Sequence, residues 1–132
     1  MARGGLSFEG IGAQYATYEA DDTLKTSITA SGVSFVEGKA VVLTDNKKVG
    51  MGSNGGQLHG KALKYEGDGM LGVQFRGYAY FPQVSGSAPT PGTHRVAVVN
   101  GAGAVLASTG AVGRNEIVGV ESSTEEVIVL LG

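Results

Sequence analysis

Hydrophobic and polar residues alternate most regularly between residues 60 and 82, on both sides of a Glu-Gly-Asp-Gly turn at 66–69. Asp-Gly between two alternating segments predicts a β-hairpin, because glycine accepts the positive φ that a tight hairpin turn requires. After the turn, the residues of one strand face are Leu71, Val73, Phe75, Gly77, Ala79 and Phe81. The other face carries Gln74, Arg76, Tyr78 and Tyr80. This period of two predicts that the first face lies in a core and that the second is wetter, and Pro82 is expected to end the strand.

Shorter apolar runs predict further strands on both sides of this hairpin. Within residues 23–36, one strand face would consist of Leu24, Thr26, Ile28 and Ala30. The other predicted strands cover residues 40–44, 49–51, 57–65, 95–99, 104–107, 116–120 and 127–131. The last strand is apolar on both faces, so we expect it to lie centrally in a sheet or beneath a partner. A helix capped by Ser122 and Glu125 is rejected there, because the remaining residues are few and rich in Val and Ile.

The chain is predicted to be one β domain preceded by an arm. Its 132 residues match the size of a single domain and suffice to bury a core. Residues 1–22 are assigned to an extended N-terminal arm, and a terminal strand docked on the chain's own core is the alternative. Residues 23–132 form the domain, from two similar halves at 32–81 and 92–132. The Pro- and Gly-rich segment 82–92 is expected to be the exposed loop that joins them.

The glycine content favours an all-β fold with many turns. The chain has 23 glycines, a share well above the usual value of about 7%, and only 3 prolines. Glycines in this number indicate turns and bulges between many short strands. The expected architecture is a small Gly-rich β-barrel or β-sandwich of short antiparallel strands.

Charge and cysteine content exclude several classes of function. The net charge is −2 and the basic residues form no cluster, so a nucleic-acid partner is not expected. The chain has no cysteine, which removes disulfides and thiolate metal sites. The N-terminal residues lack the apolar core of a signal peptide, and no run is long enough for a membrane helix. We therefore expect a protein that is made and stays soluble in a cell, or is assembled there, and that has no membrane partner.

The motifs that could carry chemistry are incomplete. The Gly-x-Gly after residues 96–99 resembles a dinucleotide fingerprint, but Leu106 stands where the third glycine belongs, and an Asn-Gly hairpin is the simpler interpretation. His59 and His94 are single histidines far apart in sequence, whereas a metal site requires three or four ligands. The chain also lacks the G-x-S-x-G motif of a nucleophilic serine. No catalytic residue, cofactor or metal ligand is predicted, and the chain is not expected to be an enzyme.

A spacing of glycine and β-branched residues over residues 32–132 resembles that of a known family. Its elements are Gly38-x-x-Val41-x-Leu43, Asn46-x-x-Val49, Gly60-x-Ala62, Val73-x-x-x-Gly77, Pro91-Gly92 and Gly119-Val-Glu121. In this respect the chain is similar to the head-decoration, or capsid cement, proteins of tailed bacteriophages. The resemblance implies a compact β domain on the outer surface of the virion, made in the host cytoplasm, that clamps adjacent major capsid subunits. It also implies self-association, with a trimer favoured and a dimer possible, and no catalytic residues.

The residues that would contact the capsid or another subunit are the apolar and aromatic residues of the arm and the polar-aromatic face of the central strand. They are Leu6, Phe8, Ile11, Tyr15, Tyr18, Arg76, Tyr78 and Tyr80. Deleting residues 2–20 is expected to leave the fold intact and to weaken capsid binding. The alternative function is a carbohydrate- or receptor-binding β domain with a tyrosine platform, against which the absence of tryptophan argues. A small hydrolase is a third, weaker possibility.

Overall fold

The computed structural model describes residues 11–84, 86, 88–89, 91, 96–108 and 115–132. About 55% of the chain is strand and 12% is helix, which confirms the all-β class. The helical elements are α1 (Asp22–Ser31) and a 3-10 helix (Val33–Phe35). The strands are β1 (Gln14–Ala20), β2 (Ala40–Asp45), β3 (Lys48–Gly50), β4 (Gly56–Gln57), β5 (Gly60–Gly67), β6 (Met70–Pro82), β7 (Val96–Val99), β8 (Val105–Ser108), β9 (Glu116–Glu121) and β10 (Glu126–Leu131).

The predicted central hairpin is confirmed. Strands β5 and β6 pair antiparallel, and Gly67 lies opposite Met70 across the turn. Asp68 and Gly69 between them have φ values of 52° and 78°. Two consecutive positive φ angles are the geometry of the tight hairpin turn that Asp-Gly favours. Strand β6 ends at Pro82, as predicted, but with 13 residues it is much longer than the other strands.

Five neighbouring strands of the sheet form a closed cycle of hydrogen-bonded pairs. β1 pairs with β3, β3 with β2, β2 with β5, β5 with β6, and β6 again with β1. All of these pairings are antiparallel except that of β1 with β3, which is parallel. We call these strands the five-strand ring. Closing the cycle gives β3 a partner strand on each side, and it gives β1 a second partner at Glu19 and Ala20. Part of the backbone that would otherwise form an exposed sheet edge is therefore paired.

The remaining strands extend the sheet from the second part of β6. Residues 77–82 of β6 pair with β10, and β10 pairs with β9. Strand β9 pairs with β7, and β7 pairs with β4. Strand β8 pairs with the other side of β7. An isolated bridge from Gln83 to Val105 brings β8 back to the end of β6. β10 thus lies between two strands, which confirms the central position predicted from its two apolar faces.

Two hydrophobic cores lie along this sheet. The first core contains Ala20, Leu24, Ile28, Val36, Val41, Val49, Ala62, Leu71 and Val73. The second contains Ala40, Val42, Leu58, Ala79, Phe81, Ala97, Val99, Val105, Ile117, Val127, Val129 and Leu131. Strands β2 and β6 contribute to both cores. In β2 successive side chains point to opposite faces, so Val41 enters one core and Val42 the other.

Helix α1 corrects the strand predicted for residues 23–30. Leu24 and Ile28 are buried, whereas Thr26 and Ala30 are exposed, so the apolar positions follow a helical spacing of four rather than a strand spacing of two. The Asp21 carboxylate accepts the backbone N–H of Leu24 over 2.8 Å and caps the helix. The first N–H groups of a helix have no partner within the helix, and the cap provides one of them with an acceptor. A strand would not need such a cap.

The predicted arm is wrong from Gln14 onwards. Residues Gln14–Ala20 form β1 and hydrogen-bond to β6 and β3, so this part of the chain is the docked terminal strand of the alternative interpretation. The physical reason is that β1 supplies the pairings that close the ring and places Ala20 in the first core. Residues 1–10 lie outside the described residues, and an arm there stays a prediction. The division into two similar halves also stays a prediction, although β4 of the first half pairs with β7 of the second.

Candidate interaction surface

The start of β1 is held against the middle of β6 at a close backbone crossing. The Tyr78 N–H donates to the Ile11 carbonyl over 2.9 Å. Gly77 has a φ of +88°, and a Cβ placed on it would lie 2.5 Å from the carbonyl carbon of Gly12. Only glycine therefore fits at position 77 without displacing the backbone. The crossing fixes where the chain before Ile11 meets the described structure, which is beside Arg76 and Tyr78.

Four of the predicted contact residues lie together at this crossing, on β1, on β6 or just before β1. Ile11 is 55% exposed and Tyr15 is 59% exposed, which makes them the two most exposed large hydrophobic residues of the part of the chain described. Arg76 is exposed and Tyr78 is half-buried. Gln14 lies opposite Arg76, and Tyr15 lies opposite Gln74. We call Ile11, Tyr15, Arg76 and Tyr78 the β1–β6 surface.

Two other predicted contact residues are placed differently. Tyr80 is 1% exposed, so its assignment to an exposed strand face is wrong. It lies opposite Ile128 of β10, which is 7% exposed, and the face predicted to be wet is therefore covered at this point. Tyr18 is half-buried, and its hydroxyl is bonded to His59. Leu6 and Phe8 lie outside the described residues.

Gln74 supports the backbone of the crossing from within. Its side chain is 4% exposed, although the strand period places it on the wetter face. The Gln74 Nε2 group donates to the carbonyls of Arg76, over 2.9 Å, and of Tyr78, over 3.1 Å. These carbonyls flank Gly77, where the chain departs from regular strand geometry. Sequence patterns did not identify this role, because it depends on a local bend that alternation does not register.

Asn115 joins the segment between β4 and β5 to Gly132, which follows β10. Its Nδ2 group donates to the Leu58 carbonyl over 2.6 Å, and its Oδ1 atom accepts the Gly132 N–H over 3.1 Å. Asn115 is 5% exposed and has a φ of 68°, a left-handed conformation that asparagine tolerates better than most residues. Residue 115 lies outside every predicted strand, and its contacts were not predicted, because its partners are 57 and 17 residues away.

A groove of about 320 Å³ lies between α1, the end of the 3-10 helix, β2, the segment that follows β3, and the turn after β7. Asp21, Thr23 and Ser27 line its side toward the helix, and Thr44, Phe35 and Met51 line other parts. The Asp21 Oδ2 atom accepts the Thr44 hydroxyl over 3.0 Å. A second cavity of about 360 Å³ is lined, among the described residues, by Leu43, Gln57, Leu58 and His59.

One ion pair between β1 and α1 shifts two pKa values. The Lys25 ammonium donates to the Glu19 carboxylate over 2.7 Å. This hydrogen bond lowers the pKa of Glu19 from its ordinary value, with a further lowering from the positive charge of Lys25. The same hydrogen bond raises the pKa of Lys25. Both side chains are about one-third exposed, so the pair contributes little to stability.

Two kinds of known site are absent from the described residues. Within the described ranges, no three His, Asp or Glu side chains are grouped so that they could hold a metal ion. The helices of the same ranges are too short and too polar to cross a membrane. A comparison with models of known protein families found no match, and neither did a search among curated proteins.

Proposed function

We propose that the chain is a structural virion protein that binds the outside of a phage capsid and stabilises it by clamping adjacent major capsid subunits. The observation that supports this best is the β1–β6 surface. Ile11 and Tyr15, the two most exposed large hydrophobic side chains among the described residues, lie there beside Arg76 and Tyr78, and β1 and β6 belong to the closed ring. A preorganised surface of this kind loses little entropy on binding. The resemblance of the glycine spacing to capsid decoration proteins supports the same role.

The composition of the surface suits a protein interface. Tyrosine and arginine are enriched where binding energy concentrates, because they combine a large contact area with hydrogen bonding. The β1–β6 surface offers two tyrosines, one arginine and Ile11, and residues 1–10 join it directly. Each contact with a capsid subunit would be small. A trimer, or alternatively a dimer, would engage several subunits at once, and avidity would supply the strength. The role needs no catalysis, cofactor, nucleic acid or membrane.

Co-sedimentation with matching capsids that lack the protein tests this proposal. The purified chain is first sized by light scattering and then mixed with the capsids at increasing concentration. We expect saturable binding in a fixed ratio to the major capsid protein. The variant Ile11→Ser/Tyr15→Ser is expected to bind at least about tenfold more weakly, as for the loss of one interface hot spot.

Leu43→Ser is the matched control, because Leu43 is 53% exposed but lies outside the β1–β6 surface. A variant lacking residues 2–10 tests the arm. Deletion of residues 2–20, in contrast, would remove the whole of β1 and open the ring, so it is unsuitable. A monomer that ignores capsids but binds glycans on an array would replace this proposal with the carbohydrate-binding alternative.

A further inference from the structure

The groove beside α1 has one charged group among its described lining residues, the carboxylate of Asp21. Each oxygen of this carboxylate accepts one hydrogen bond, from the Leu24 N–H and from the Thr44 hydroxyl. A carboxylate oxygen has two acceptor positions, so each retains capacity for a second donor. None of the ion pairs among the described residues involves Asp21. The groove therefore presents a negative charge that is held in place and that no cation of the described residues neutralises.

The position of this carboxylate is fixed by its surroundings. A Cβ placed on Gly50 would overlap the Asp21 Oδ2 atom, so the carboxylate lies directly against the backbone of β3. The Asp21 N–H in turn donates to the Val49 carbonyl over 2.9 Å. Lys25, one helical turn after Asp21, binds Glu19, and the Lys39 ammonium donates to the Ser34 carbonyl over 3.5 Å.

Apolar and hydroxyl side chains surround the carboxylate. Phe35 and Met51 are half-buried and pack against the first core, to which the buried Leu24 belongs. They offer a surface for a methylene chain, and Phe35 offers an aromatic face for a cation. Thr23 and Ser27 lie one helical turn apart on α1 and add hydroxyl groups to the same groove. The volume of about 320 Å³ lies at the lower end of the range for ligand pockets.

We propose that this groove binds a lysine or arginine side chain of a partner protein. The aliphatic part of that side chain packs on Phe35 and Met51, and its positive end donates to the free acceptor positions of Asp21. Hydrogen bonds between charged partners are the stronger ones, and here the carboxylate is already oriented. That the partner is a capsid subunit rests on the proposed function, whereas the recognition of a basic side chain does not.

Titration of the isotope-labelled chain with capped tripeptides, followed by NMR of the backbone amides, tests the proposal. The probes are acetyl-Gly-Lys-Gly-amide and the arginine analogue, with the norleucine analogue as the uncharged probe. We expect the Lys or Arg peptide, but not the norleucine peptide, to shift the amides of Asp21, Leu24 and Thr44. Asp21→Asn is expected to weaken this binding at least about tenfold, because it removes the charge. Asparagine is as good a helix cap as aspartate, so the fold should persist, which circular dichroism verifies.

Asp22→Asn is the matched control, since Asp22 is the exposed neighbouring acid and does not line the groove. Retained binding in Asp22→Asn and lost binding in Asp21→Asn would support the proposal. Equal loss in both variants would assign the effect to general electrostatics and overturn it. The absence of shifts in the groove with either basic peptide would overturn it as well. Because no capsid is used, this result is independent of the co-sedimentation result.

Discussion

The hydroxyl of Tyr18 lies 2.8 Å from the Nε2 atom of His59, and the two rings meet edge to face with their centroids 5.0 Å apart. Tyr18 belongs to β1, and His59 immediately precedes β5. These two strands are not neighbours in the ring. The contact therefore connects strands that backbone pairing does not join, and it anchors β1 through a side chain as well as through its hydrogen bonds.

Removing the hydroxyl of Tyr18 should measure this anchor. Tyr18→Phe retains the ring but loses the hydrogen bond to His59, and we expect the free energy of unfolding to fall by about 1 kcal/mol. Tyr15→Phe is the control, because Tyr15 is exposed, and its effect should stay within about 0.5 kcal/mol. Urea unfolding followed by circular dichroism gives both values. Equal effects of the two substitutions would show that the Tyr18–His59 bond is not formed in solution.

The backbone crossing at Gly77 predicts a large effect from a single methyl group. Gly77→Ala places a Cβ 2.5–2.6 Å from backbone atoms of residues 11–13 and forces alanine into a positive φ. We expect a loss of about 2–5 kcal/mol in the free energy of unfolding. At Gly72 of the same strand, the atom nearest to a new Cβ is 3.5 Å away. Gly72→Ala should therefore leave stability unchanged or raise it by up to about 1 kcal/mol. Similar losses in both variants would contradict the crossing.

Asn115 offers a way to separate hydrogen bonding from backbone conformation. Asn115→Ala loses both side-chain bonds, leaves the Leu58 carbonyl without its donor and keeps a positive φ, so we expect a loss of about 3 kcal/mol. Asn115→Gly loses the same bonds but tolerates the φ, and it should be more stable than the alanine variant by about 1 kcal/mol. Thermal and urea unfolding compare them. An alanine variant as stable as the glycine variant would argue against the left-handed conformation.

The Glu19–Lys25 pair predicts a weak dependence of stability on pH. The folded-state pKa of Glu19 is lowered, so the stabilisation is present above the ordinary glutamate pKa of about 4.3 and is lost as the pH falls through the lowered value. The pKa of Lys25 is raised, so its share is lost only as the pH rises through that raised value. Glu19→Gln should therefore be slightly less stable than the unaltered chain at neutral pH, and the difference should vanish in acid. Glu116→Gln, which removes an exposed acid from β9, is the control; an identical pH profile for both variants would count against the pair.

The strands that sequence predicted well are those whose signal is local. Asp68-Gly69 sets a hairpin turn by backbone conformation alone. Asn100 sets the β7–β8 turn through its side chain, whose oxygen accepts the N–H groups of Ala102 and Ala104. The helix at 22–31 was missed, because Leu24 and Ile28 fit a period of two as well as a spacing of four. Asp21 was the signal that distinguishes them, since it is a favourable helix cap immediately before the apolar positions.

The features of the candidate surfaces were less predictable, because they depend on pairing between distant segments. Tyr80 is buried by the part of the sheet that contains β10, about 48 residues further along, and alternation within β6 carries no information about that. The position of Ile11 and Tyr15 depends on β1 closing the ring. Asn115 and the groove at Asp21 likewise bring together residues from separate elements. Sequence therefore indicated exposed aromatic residues correctly at Tyr15 and wrongly at Tyr80.

Strand β6 spans both hydrophobic cores, with Leu71 and Val73 in the first and Ala79 and Phe81 in the second. If β6 detaches from one core, it is also pulled away from the other core. We therefore expect the chain to unfold as one cooperative unit. Tyr18 of β1 lies opposite Leu71 near the start of β6, and Tyr80 lies near the end of β6. The native NMR signals of both tyrosines should disappear at the same urea concentration. A chain under tension on the surface of a particle would accordingly resist stepwise rupture and release its load in a single event.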